Sequence, residues 1–120
     1  MDHSLQILIA LGANLPSRAG DPSQTLRTAL AIMHAQEEVS IRAISHFWTT
    51  PAYPAGSGPD FCNAAAVVSA SMTPEKLLDL LHHIEARLDR RRNGRWTART
   101  VDLDLIGWAG LILPDAQTQD

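Results

Sequence analysis

Two aspartates alternate with apolar residues near the end of the sequence. Asp102 and Asp104 are interleaved with Val101, Leu103 and Leu105. On a β-strand, side chains two positions apart share a face, with their Cα atoms about 6.5–7 Å apart. Two such carboxylates could hold a pair of Mg²⁺ ions, because Mg²⁺ prefers hard oxygen ligands and paired metals lie about 3.5–4 Å apart. The alternative is a solvated face of an edge strand, although aspartate is depleted in strands.

A cluster of arginines precedes the two aspartates. It comprises Arg87, Arg90, Arg91, Arg92, Arg95 and Arg99, whereas Lys76 is the only lysine in the chain. Arginine suits bidentate binding of phosphate better than lysine does. Guanidinium groups and metal ions together can neutralise a triphosphate during phosphoryl transfer. The alternative for such a cluster is a solvated run of charge. The sequence has no glycine-rich phosphate-binding loop, so nucleotide binding is predicted to depend on arginine and metal.

The composition favours one folded domain. The chain has 120 residues, 45% of them hydrophobic, and a net charge of −3, which is unfavourable for a protein whose main partner is nucleic acid. Cys62 is the only cysteine, so an internal disulfide is excluded, and its apolar surroundings predict a core position. The five histidines do not have the spacing of a zinc site. The sequence lacks an apolar segment of about 20 residues, so we expect a cytoplasmic protein without a membrane span.

Hydrophobic periodicity predicts the elements that position these residues. Strands are expected at residues 7–12, 39–45 (continuing toward Trp48), 61–71 and 101–106, with a short fifth at 111–113. Helices are expected from about Pro22 to His34, capped by Asp21 or Ser23, and from Pro74 onward, capped by Thr73. Residues 51–59 contain three prolines and two glycines and are predicted to form an irregular loop. The order β-α-β-β-α-β is that of a ferredoxin-like α+β sandwich, an antiparallel sheet with two helices on one face.

Four blocks of the sequence resemble one enzyme family. Residues 95–104 read R-W-T-A-R-T-V-D-L-D and resemble R-W-G-P-R-T-L-D-L-D, the signature of bacterial 6-hydroxymethyl-7,8-dihydropterin pyrophosphokinases. Residues 11–15 (L-G-A-N-L), 47–51 (F-W-T-T-P) and 60–65 (D-F-C-N-A-A) resemble its G-S-N-L, F-Y-x-T-P and D-Y-L-N-A-A blocks, in the same order. The resemblance covers residues 7–106.

The resemblance implies roles for individual residues. Asp102 and Asp104 match the carboxylates that hold two Mg²⁺ ions. Positions implied to bind ATP are Glu85, Arg95, Trp96 and Arg99, and those implied to act on the phosphates in catalysis are Arg90, Arg92, Arg95 and Arg99. Asn63 matches the side chain that pairs with the pterin ring, Phe61 an aromatic at that pocket, and Gly12, Thr50 and Pro51 its walls.

The implied activity is transfer of pyrophosphate from ATP to the hydroxymethyl group of 6-hydroxymethyl-7,8-dihydropterin, giving AMP and the pterin diphosphate in folate biosynthesis. The implied partners are these two small molecules, with neither nucleic acid nor membrane, and the implied state is a monomer. Loops, including the one at residues 51–59, would close over the site. The family's Gly-Pro is Thr97-Ala98 here, and its members continue beyond the point where this chain stops. We therefore expect residues 1–120 to be a single domain that is incomplete at its C-terminal end.

Two other functions fit parts of the sequence. The first is a pterin- or nucleotide-binding remnant without catalysis, which binding without turnover would reveal. The second is a ferredoxin-like RNA-binding module, because RNA-recognition domains share the same order of elements. Such a module needs aromatic residues on a central strand and a K/R-G-F-like block, and the sequence contains neither.

Overall fold

The computed structural model describes residues 5–56, 58–89 and 101–108. In chain order these form β1 (Leu5–Ala13), α1 (Pro22–His34), β2 (Val39–Ile44), β3 (Trp48–Thr50), β4 (Phe61–Ala70), α2 (Pro74–Arg87) and β5 (Asp102–Trp108). The short strand predicted at 111–113 lies outside the described residues.

The strands form one antiparallel sheet in the order β2-β4-β1-β5, with β3 also paired to β4. The central strand β1 is paired with β4 along its whole length and with β5 from Ile7 to Gly12. This strand order and the two helices confirm the predicted ferredoxin-like α+β fold.

The predicted second strand is divided into two. A bulge lies between Ile41 and Ala43, and the chain then leaves the regular ladder before pairing with β4 again as β3. Ser45 bridges the break, because its backbone N–H donates to the carbonyl of Ala65 at 2.8 Å and its hydroxyl oxygen accepts the Ala65 N–H at 2.9 Å. A side chain thus replaces a ladder hydrogen bond, which an alternating hydrophobic pattern does not reveal.

Both helices begin where the capping residues predict. The Asp21 side chain accepts from the Gln24 backbone N–H, and the Gln24 side chain accepts from the Asp21 backbone N–H, so α1 starts with a full capping box. Thr73 caps α2 by accepting from the Lys76 N–H. Within the described part of the chain, neither helix is long and apolar enough to cross a membrane.

The helices cover one face of the sheet and enclose the core between them. Alternate residues of β1 supply Ile7, Ile9 and Leu11, all of them buried. The facing stripe of each helix is also buried; it consists of Leu26, Ala29, Leu30 and Met33 in α1 and Leu77, Leu81 and Ile84 in α2. Strand side chains alternate between faces, so the residues between these core positions project from the opposite side of the sheet.

Candidate active site

The predicted site residues of three strands meet on the face of the sheet that the helices leave uncovered. Gly12 of β1 is paired with Asn63 of β4 on one side and with Asp102 of β5 on the other. Asp104 is paired with Ala10, two residues along the same face. Directly paired residues point to the same side of an antiparallel sheet. The amide and the two carboxylates therefore share one face, and between them Gly12 has no side chain that would fill the space.

Hydrogen bonds fix the orientation of the Asn63 side chain. Its Nδ2 donates to Thr50 Oγ1 at 2.9 Å and to the carbonyl of Trp48 at 3.2 Å, and it lies 3.4 Å from the carbonyl of Phe61. The amide oxygen Oδ1 is instead directed toward Gly12, 3.4 Å from where a Cβ on that glycine would lie. Asn63 therefore presents a hydrogen-bond acceptor at the open face of the sheet.

Glycine at position 12 keeps this corner open. A Cβ there would also lie 3.9 Å from the Phe61 ring carbon Cδ1, so the space above the backbone is bounded by an amide and an aromatic edge. Phe61 is paired with Thr50, and Trp48 is paired with Asn63 on the same face, where it is 47% exposed. Trp48 was not predicted to belong to the site, although it lies within residues 47–51, one of the four blocks that resemble the family.

The two carboxylates of β5 differ in exposure. Asp102 is half-buried beside Gly12, and Asp104 is exposed further along the strand. No group of three or more His, Cys, Asp or Glu side chains suited to a metal occurs among the described residues. Two hard carboxylates on one face nevertheless fit Mg²⁺, which is commonly held by one or two carboxylates and completed by water and substrate phosphates.

Glu85 lies behind β5, on the side of the sheet that the helices cover. It is 2% exposed, and its Oε2 accepts the backbone N–H of Leu103 at 2.8 Å. A buried carboxylate that accepts this N–H supports the strand at the residue between Asp102 and Asp104. This contact has no local signal in the sequence, because nothing in the residue pattern pairs a helix carboxylate with a strand amide 18 positions away. Binding of the nucleotide by Glu85 remains a prediction.

The last of the residues predicted to line the pterin site lies just beyond the end of β3. Pro51 is exposed and directly follows Thr50 at the start of the loop that leads to β4. This loop is tied to the end of β1, since Asn14 Nδ2 donates to the carbonyl of Pro59 at 3.0 Å. Gly12, Thr50, Phe61, Asn63 and Asp102 are thus close together, with Asp104 two residues along β5.

Five of the residues predicted to bind ATP or its phosphates lie outside the described residues. They are Arg90, Arg92, Arg95, Trp96 and Arg99, and their roles remain predictions. The structure does describe the point from which this segment departs. Asp89 follows α2 with φ of 72°. Its carboxylate accepts from the Arg18 backbone N–H at 2.8 Å and from Arg18 Nε at 2.9 Å, and Arg18 Nη2 lies 2.7 Å from it. This ion pair joins residues 71 positions apart and has no local sequence signal.

Two side chains, one in this ion pair and one in β4, have a pKa that is shifted from its usual value. The hydrogen bond and the charge of Asp89 raise the pKa of the Arg18 guanidinium above its usual value. Burial, followed by the charge of Asp21, raises the pKa of the Cys62 thiol. A thiol with a raised pKa is a poor nucleophile at neutral pH. Cys62 was predicted to lie in the core, but it is half-buried and packs against the core from its edge.

Comparisons with known proteins place the chain in a family. Residues 8–120 match the model of the 7,8-dihydro-6-hydroxymethylpterin-pyrophosphokinase (HPPK) family. A 2-amino-4-hydroxy-6-hydroxymethyldihydropteridine pyrophosphokinase of Bacillus subtilis is 36% identical over 98 residues, which are 82% of this chain and 56% of that protein. Proteins of the same name from Haemophilus influenzae and Pseudomonas putida are 33% and 31% identical, over 88% and 92% of this chain and 63% and 88% of their own lengths.

The chain spans little more than half the length of the Bacillus subtilis relative and about a quarter of the bifunctional protein FolKE of Lactococcus lactis, to which it is 30% identical. The family model nevertheless covers almost the entire chain, and the residues it covers include the corner formed by Gly12, Asn63 and Asp102. The chain belongs to the 7,8-dihydro-6-hydroxymethylpterin-pyrophosphokinase family.

Proposed function

We propose that this chain carries the pterin corner and the metal-binding strand of an ATP-dependent diphosphokinase. The reaction is transfer of pyrophosphate from ATP to the hydroxymethyl group of 6-hydroxymethyl-7,8-dihydropterin. The observation that supports it best is the strand register, which sets Gly12 between the amide of Asn63 and the carboxylate of Asp102. A flat heterocycle and a metal-bound phosphate chain can therefore approach the same stretch of open sheet.

Asn63 is the group that recognises the pterin. Because its Nδ2 is already engaged by Thr50 and the Trp48 carbonyl, its Oδ1 is the atom that accepts an N–H of the ring. Phe61 supplies an aromatic edge, and Gly12 lets the ring approach the backbone. Fixed partners reduce the entropy lost on binding, because the amide is oriented before the ligand arrives.

Asp102 and Asp104 are the residues that would hold two Mg²⁺ ions. When bound, these ions neutralise phosphate charge and so favour attack by an oxygen nucleophile. Glu85 positions this strand through the Leu103 N–H. Guanidinium groups from Arg90, Arg92, Arg95 and Arg99 add positive charge at the phosphates, and Trp96 contributes to binding of the nucleotide.

The reaction involves one displacement at phosphorus. The pterin hydroxymethyl oxygen forms a bond to the β-phosphorus of ATP, and the bond from that phosphorus to the oxygen bridging it to the α-phosphate breaks. AMP leaves with that oxygen, and the hydroxyl proton passes to solvent. The protein forms no covalent bond, so its contribution is positioning and electrostatic stabilisation.

The proposal includes the setting in which the chain acts. We place the reaction in the cytoplasm, where ATP and Mg²⁺ are abundant, and assign it to one domain that includes residues 1–120 and acts as a monomer. The substrates are the two small molecules alone. Light scattering on the purified chain tests the monomer directly.

The test is pterin-dependent release of AMP. The 120-residue chain is incubated with Mg²⁺ and ATP, with and without 6-hydroxymethyl-7,8-dihydropterin, beside an Asp104→Ala variant. AMP that requires the pterin and is lost in the variant supports the proposal. Magnesium-dependent nucleotide binding without AMP release would instead identify a binding protein without catalysis.

A further inference from the structure

A second concave site lies away from the open face, between α1 and the strand β2. It is an open groove of about 790 Å³ whose residues come from one face of the helix, from β2 and from the connection to β3. None of its lining residues belongs to the corner at Gly12, Asn63 and Asp102. A groove of this size falls within the range of small-molecule sites, about 300–1,000 Å³.

Five of the nine residues that line the groove are apolar, and the other four are Arg27, His34, Ser45 and His46. Leu30 and Ala31 line it from α1, and Ile41, Ile44 and Phe47 line it from the strand side. Ile44 is 50% exposed, so its side chain adds accessible apolar surface to the groove. A ligand that covers these side chains removes apolar surface from water, so the walls favour a hydrophobic body.

One end of the groove carries a positive charge. The Arg27 guanidinium lies over the ring of Phe47, with Cζ 5.0 Å from the ring centroid. Among the residues the structure describes, no hydrogen bond or ion pair joins the Arg27 guanidinium to another group. The ring therefore orients the guanidinium while its N–H donors remain available to a planar anion.

A donor lies at the other end. His34 is seven residues beyond Arg27 on the same helix face, which corresponds to about 10.5 Å of helical rise. Its Nδ1 accepts the backbone N–H of Ile41 at 3.1 Å. In the neutral ring the proton must then be on Nε2, so the imidazole has a donor to offer rather than a second acceptor.

We propose that this groove binds an amphipathic monocarboxylate, with its carboxylate at Arg27 and its hydrocarbon body along Leu30, Ile41 and Ile44. The class follows from charge and shape. One guanidinium matches one carboxylate in bidentate geometry, whereas it cannot neutralise the several charges of a triphosphate, the rest of which would lie against apolar side chains. The site is separate from the proposed reaction and does not depend on it.

Octanoate is the probe, titrated into the ¹⁵N-labelled chain and followed by amide chemical shifts. We expect saturable shifts at the amides of Ala31, Ile44 and Phe47, and none at Gly12 or Asn63. Octylamine has the same hydrocarbon body with the opposite charge, and it should bind at least about fivefold more weakly because the charge-assisted hydrogen bonds are lost.

Two variants separate charge from apolar contact. Arg27→Gln should weaken octanoate about five- to tenfold, because one charge-assisted contact is removed, and it should not weaken octylamine. Ile44→Asp changes an exposed side chain, so the fold should persist while octanoate binding is lost. Equal binding of octanoate and octylamine, or octanoate shifts that Arg27→Gln leaves unaltered, would overturn the proposal, as would shifts confined to other regions.

Discussion

The two faces of the central sheet use the same strands for opposite purposes. On the helix-covered face, β1 and β5 bury aliphatic side chains such as Ile9 and Leu103, and Val68 of β4 is fully buried beside them. On the open face, the same three strands present Gly12, Asn63 and Asp102. The first has no side chain, the second has an amide and the third has a carboxylate. The first set can serve only packing, whereas the second leaves hydrogen-bonding groups within reach of a ligand.

This difference shows how packing positions the site. Side chains alternate with a period of two, so a one-residue shift of β5 against β1 would bury Asp102 and expose Leu103. Burial of the aliphatic residues therefore fixes the register that brings the carboxylate beside Gly12. The site has its geometry because the opposite face has a core, and substitutions on the two faces should therefore have different effects.

The largest effect on stability is expected from a core substitution. Leu81 of α2 is fully buried, so Leu81→Ala should lower the free energy of unfolding by about 2–5 kcal/mol through lost burial and a residual cavity. Leu78 on the same helix is 41% exposed and provides the matched control, since Leu78→Ala should cost far less. Urea unfolding measures both; equal losses would contradict the assignment of α2's buried face.

A smaller loss of stability is expected when Glu85, which connects α2 to β5, is replaced. Glu85→Ala leaves the buried N–H of Leu103 without its acceptor, which should cost about 1–3 kcal/mol in unfolding free energy. Glu85→Gln retains an amide oxygen at that position and should cost less. Hydrogen exchange at the Leu103 amide provides the local readout. Unchanged protection in Glu85→Ala would show that this carboxylate does not support β5.

A substitution on the open face should change the affinity for the pterin more than the free energy of unfolding. Gly12→Ala adds a methyl group 3.4 Å from Asn63 Oδ1 and should weaken pterin binding about tenfold, equivalent to about 1.4 kcal/mol. The expected change in unfolding free energy is smaller than that. Gly107→Ala is the control, because a Cβ there has no atom of the described residues within 4 Å. Quenching of pterin fluorescence compares the two; equal affinities would remove Gly12 from the pterin site.

The sequence predicted the elements well wherever a local signal existed. The first helix runs from Pro22 to His34 as expected, because the Asp21 cap, the proline in the first turn and the apolar stripe agree. The expectation of one strand from residue 39 toward Trp48 missed the break at residues 45–47. That break depends on the hydroxyl of Ser45 meeting Ala65, a contact between residues 20 positions apart.

The residues of the candidate site could be predicted from the sequence, whereas the contacts that orient them could not. Alternation alone put Asp102 and Asp104 on one face, and family resemblance added Gly12 and Asn63. Which atom of Asn63 faces the site follows only from its bonds to β3, which require the fold. The Arg18–Asp89 ion pair is likewise a long-range contact.

The most direct test of the central claim locates the metal–nucleotide site without relying on turnover. Mn²⁺ and ATP are added to the ¹⁵N-labelled chain, and paramagnetic broadening of the amide signals is mapped. We expect the strongest broadening at Gly12, Asp102 and Asp104, with much weaker effects along α1 at Leu30 and His34. Strongest broadening along α1, or broadening that Asp104→Ala leaves unchanged, would contradict it.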